Sequence, residues 1–103
     1  MNKDQELHLQ EMAWIGDAVL ALWARQWLLE RDGKILPDRF TRLTCNQFLA
    51  CVGTPTAVEA RYGEIYKTSG LAEAFLIIER ELVPLFERQE SKRARQSRGR
   101  SHS

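Results

Sequence analysis

Cysteine is nearly absent: Cys45 and Cys51 are the only two in 103 residues. That excludes a disulfide framework, and with no second pair or nearby histidine the spacing is not that of a zinc site. They read as structural thiols in a reducing, cytoplasmic setting. No apolar run approaches the ~20 residues a membrane span requires, so no membrane association is expected. The polar start Met1-Asn2-Lys3-Asp4 lacks the apolar stretch of a targeting signal. Sustained period-two alternation between turn signals is missing too, which argues against strands, and there is no internal repeat.

Charge of either sign is plentiful but unevenly placed. Residues 1–90 carry 10 Lys/Arg against 14 Asp/Glu, net −4, whereas residues 91–103 carry five basic residues and no acid, net +5. The pattern predicts an acidic helical domain over residues 1–90 and a disordered basic tail over 91–103. Such a tail either attracts a polyanion or merely solubilises the chain.

Four helical segments account for most of the sequence. The first spans about Gln5 to Arg31, with Met12, Ile15, Val19 and Leu22 at helical spacing and a second stripe through Leu20, Trp23 and Trp27; Asp32-Gly33 ends it. A helix apolar on most sides belongs in a bundle centre or a subunit interface. Pro37-Asp38 opens a second, roughly Asp38 to Cys51. Thr54-Pro55 opens a third with Thr54 as N-cap, Val58, Tyr62, Ile65 and Tyr66 facing the core, and Ser69-Gly70 at its end. The fourth starts at Leu71 and buries Leu71, Ala74, Phe75, Ile78, Leu82 and Leu85, with Pro84 expected to kink or stop it. The fold class expected is all-α.

Two acids fall on faces that read as buried. Asp17 lies in Met12-Ala13-Trp14-Ile15-Gly16-Asp17-Ala18-Val19-Leu20, in line with Ala13, Leu20, Ala24 and Leu28. A buried carboxylate needs a hydrogen-bond donor, a cation or a metal, and Gly16 beside it lets another backbone or a ligand come close. Arg42 or Arg61 could supply an ordinary ion pair. Glu59 lies near the start of the third helix, where the helix dipole alone could explain it. If the two converge, they form an oxygen-rich site for a hard divalent cation such as Mg²⁺.

Three blocks in order resemble the ribonuclease III catalytic-domain family over about residues 5–89. The family's Leu-Glu-Phe-Leu-Gly-Asp-Ala-Val-Leu signature is matched by Met12 to Leu20. Its Leu-Val-Ser-Asn-x-x-Leu-Ala block is similar to Leu43-Thr44-Cys45-Asn46-Gln47-Phe48-Leu49-Ala50. Its Phe-Glu-Ala-Leu-Ile-Gly-Ala-Ile-Tyr helix resembles Val58 to Tyr66. Two family acids are replaced, by Ala13 and Thr56, as in the small relatives called Mini-ribonuclease III, which also lack a double-stranded-RNA-binding domain. Val52-Gly53-Thr54-Pro55 stands in place of a longer helical stretch and basic loop.

The resemblance implies a ribonuclease III-like helical domain forming a two-fold homodimer, with Trp14 in the position of an aromatic that plugs a pocket in the partner; ordinary core packing is the alternative for Trp14. It implies a Mg²⁺-dependent endonuclease, a hydrolase cutting structured or double-stranded RNA, with Mn²⁺ able to replace Mg²⁺. Asp17 and Glu59 are the expected catalytic and metal-holding residues. Arg42, Asn46, Lys92, Arg93 and Arg95 are the RNA-binding candidates, although packing and solvated faces explain Arg42 and Asn46 as well. Glu64 reads as a solvated or supporting acid and His8 as a surface residue. Ribosomal RNA processing is what the Mini-ribonuclease III likeness suggests. The alternative is a catalytically degenerate ribonuclease III fold that binds RNA or a ribonucleoprotein without cleaving it.

Overall fold

A computed structural model describes residues 2–100; residues 101–103 of the tail lie outside the described residues. Five helices follow one another, α1 (Lys3–Asp32), α2 (Pro37–Thr44), α3 (Asn46–Leu49), α4 (Pro55–Ser69) and α5 (Leu71–Arg100), with no strand among the described residues. The all-α expectation holds.

α1 begins where Asn2 caps it: the Asn2 side chain accepts from the Gln5 N–H at 2.8 Å, and Gln5 Oε1 accepts from the Asn2 N–H at 3.0 Å. It ends where Gly33 turns left-handed, with φ of 70°, as Asp32-Gly33 predicts. α4 opens on Pro55 after an extended Thr54, but the Thr54 side chain makes no capping bond.

α1 packs chiefly on α4, and the core gathers one face of every helix. Tyr62 is fully buried and donates its hydroxyl to Glu81 Oε1 at 2.9 Å. Phe86 of α5 is 1% exposed and meets Trp27 and Phe48 edge-on, joining α5 to α1 and α3. Tyr66 and Leu71, predicted to be core, are instead 41% and 37% exposed.

Two boundaries differ from the sequence prediction. The single helix expected over 38–51 breaks at Cys45, whose backbone is extended at φ −74°, ψ 157°. The break lets Leu43 on one side and Phe48 and Leu49 on the other reach the same core.

The larger difference is at the C-terminal end. Composition predicts a disordered tail from residue 91, but α5 runs through Pro84 to Arg100 as one helix. Pro84 sits on the exposed side, where water can take up the carbonyl it frees one turn back. Beyond it Phe86 is anchored in the core, and Glu90 is gripped by two arginines of α2. These anchors hold α5 to the body as far as Glu90; residues 91–97 continue the helix as an exposed extension.

Candidate functional site

Gly16 of α1 and Gly63 of α4 are the contact on which the site is built. A Cβ on Gly16 would run into the Glu59 carbonyl, and one on Gly63 into the Met12 carbonyl. The two backbones therefore touch without side chains between them, a spacing only glycine permits. Glu59 is thereby fixed against the residue that precedes Asp17.

The two carboxyls meet there. Glu59 lies beside Asp17, and its pKa is pushed up from 4.5 to about 7. Burial is the largest cause, followed by the neighbouring Asp17 carboxyl. Glu59 is therefore about half protonated near neutral pH. Among the described residues neither acid forms an ion pair. Arg42 binds Glu90, and Arg61 binds Glu81. Among the described residues Asp17 therefore has no ion pair with either arginine.

Two expectations about these acids are corrected. Asp17 is exposed, not buried: the α4 backbone covers Gly16, and the Asp17 side chain projects past that contact. Glu59 is half-buried and lies beyond the first turn of α4, which begins at Pro55 and holds no acid. A dipole effect fades after the first turn and would lower its pKa, so the dipole does not account for this residue.

The donor set fits a hard cation of modest demand. Among the described residues no group of three or more His, Cys, Asp or Glu side chains gathers. Two carboxyls without an ion-pair partner among the described residues, one exposed and one half-buried, suit Mg²⁺, which takes one or two carboxylates and keeps several waters. His8 and Glu64 stand apart as an exposed pair at 2.9 Å.

Trp14 is 81% exposed, so core packing does not explain it. With Asp17 and Ala18 it borders a hollow of about 530 Å³ lined by Ile15, Val19, Leu22, Tyr66 and Leu71.

The basic candidates divide. Arg42 lies across a cleft of about 730 Å³ from Lys92 and Arg93, between α2–α3 and α5, with Cys45, Cys51 and Phe48 in its wall. Asn46 is exposed at the start of α3 and does not line that cleft. Arg95 lies on an adjoining face of α5 with Arg88 and Lys92. Arg42 is not free: its Nε and Nη2 donate to both oxygens of Glu90 at 2.9 and 2.8 Å. Arg39 Nη1 donates to Asp32 Oδ1 at 2.8 Å, and its Nε faces Glu90 at 3.3 Å, off the line a hydrogen bond needs. Glu90 was missed by sequence reasoning, since a partner 48 residues away leaves no local signal.

Among the described residues no helix is long and apolar enough to cross a membrane. Compared with known family models, characterised proteins and solved structures, the chain matches none.

Proposed function

We propose that this chain is a Mg²⁺-dependent endoribonuclease of ribonuclease III type that cuts structured or double-stranded RNA as a homodimer. The convergence of Asp17 and Glu59 at the glycine contact supports this reading more than any other observation. The three-block resemblance supplies the family.

Asp17 and Glu59 would hold the cation. A bound Mg²⁺ supplies an activated water and neutralises charge on a backbone phosphate. The raised pKa of Glu59 would make its holding of the cation weaken as pH falls below about 7. Asp17 is exposed and therefore reaches substrate from solvent. The Gly16–Glu59 contact holds the carboxyl pair against a rigid helix crossing, which keeps the oxygens oriented. The homodimer rests on the apolar surface around Trp14, with Trp14 of one copy seated in the hollow of the other.

Nuclease assays on double-stranded RNA with Mg²⁺ test the reading. Asp17→Asn and Glu59→Gln should each lower cleavage at least about a hundredfold while leaving RNA binding intact. Mg²⁺ or Mn²⁺ at ten times its Kd should stabilise the wild type by about 1.4 kcal/mol and leave Asp17→Asn unmoved. Equal cleavage by all three proteins rejects the assignment. RNA binding with no cleavage by any of them favours the degenerate RNA-binding fold, in which Ala13 and Thr56 mark lost acids.

A further inference from the structure

The outer turns of α5 carry a surface that neither core packing nor the carboxylate pair uses. The last fully buried residue of α5 is Phe86, yet the helix continues and carries Gln89, Lys92, Arg93 and Gln96 over the cleft, facing Arg42 and Gln47. Glu90 is the one acid in that wall, and it is consumed. Arg42 holds both its oxygens, and Arg39 and Arg93 add further positive charge, so its carboxyl sits below the ordinary range against the opposing effect of burial. Among the described residues Lys92 and Arg93 make no ion pair with a carboxylate. The wall therefore presents cations and neutral amides to solvent.

We propose that this cleft binds the phosphate backbone of RNA, with Lys92 and Arg93 on phosphate oxygens and Arg42 as a positioning residue that ties α5 to α2 through Glu90. An extended polyanion fits better than a small anion, because the charge does not stop at the cleft. Arg88, Lys92 and Arg95 continue along an adjoining face, separated by rises of about 6 and 4.5 Å. A basic stripe along a helix is the electrostatic footprint of nucleic acid. Gln47, Gln89 and Gln96 offer both donors and acceptors, which match a sugar 2′-hydroxyl. The polyanionic ligand rests on the cleft alone; its being the substrate of the carboxylate pair rests on the ribonuclease reading.

The test uses the full chain and a short RNA duplex, without divalent cation, titrated with salt. Lys92→Glu/Arg93→Glu should weaken binding at least tenfold and flatten the salt dependence by about two phosphate contacts. The matched reversal Lys34→Glu/Arg80→Glu, away from the cleft, should cost little. Glu90→Gln releases the Arg42 charge and should tighten binding, provided circular dichroism shows the helix intact. Lys92→Gln/Arg93→Gln repeats the loss without adding acid, so a folding defect in the reversal does not decide the matter. Equal losses in the two reversals overturn the cleft. Equal binding of a DNA duplex, or of heparin at matched charge, overturns the assignment to RNA. Cleavage that survives while binding ignores Lys92 and Arg93 removes the cleft and keeps the nuclease; cleft-dependent binding without cleavage does the reverse.

Discussion

Glu59 and Glu90 are both half-buried carboxyls on helices, and their surroundings move them in opposite directions. Glu59 has burial and an acid beside it and rises to about 7. Glu90 has two hydrogen bonds from Arg42, which outweigh its burial. A raised folded pKa means that the folded chain holds more protons than the unfolded one between about 4.5 and 7, so stability falls as pH rises through that window. The lowered pKa of Glu90 contributes stability above its ordinary value, and that contribution is lost as pH falls below about 4.5. Without divalent cation, thermal stability should therefore peak near pH 5 and decline by about 1–2 kcal/mol toward pH 8, a figure discounted for solvent screening. Glu59→Gln should flatten the neutral side of that curve and leave the acid side alone. A melting temperature that climbs from pH 5 to pH 8 in the wild type would contradict the pairing of Glu59 with Asp17.

Between helices, the Gly16–Gly63 contact decides where the site lies. Met12, Gly16 and Val19 are buried along α1, and Val58, Ala60, Tyr62 and Gly63 along α4, so small residues set the closest approach and larger ones fill in around it. Gly16→Ala places a methyl group into the Glu59 carbonyl. It should destabilise the fold by about 1–3 kcal/mol despite the better helix propensity of alanine. It should also move Glu59 away from Asp17, so the decline in stability toward pH 8 should shrink. Chemical denaturation at pH 6 and pH 8 measures both effects. α5 shows a different rule: Phe86 and Glu90, one apolar and one ionic, hold a helix together past an internal proline.

The whole molecule is elongated, 55 × 28 × 20 Å with a radius of gyration of 15.5 Å, against about 13 Å for a compact chain of this length. Two 30-residue helices set that length. A shape so extended leaves apolar surface outside: Trp14 and Leu22 on α1, Tyr66 on α4 and Leu71 on α5 are exposed around one hollow. Under the proposed homodimer this hollow is the surface that the second copy covers. Sedimentation at micromolar concentration should give a two-fold dimer, and Trp14→Asp should return a folded monomer. A wild-type monomer at that concentration would defeat the homodimer.

The amino-acid order alone determined the all-α class and the bounds of α1 and α4, because the apolar period and the breakers at Gly33, Pro55 and Gly70 act within a few residues. It also singled out Asp17 and Glu59, through a conspicuous Gly-Asp within an apolar run and through the family resemblance. Their burial was misjudged, since helical phase says which residues share a face but not how far along that face a neighbour reaches. Asp17 shares its side with Leu20 and Ala24 and still meets solvent. The fate of the basic end was illegible for a related reason. Composition measures how much core a segment can build, whereas α5 is tied to α2 at Glu90 by Arg42, 48 residues away, and runs on from there to Arg100. Short-range propensity is written in the sequence; which charges meet, and which are left facing water, depended on packing that brings distant residues together.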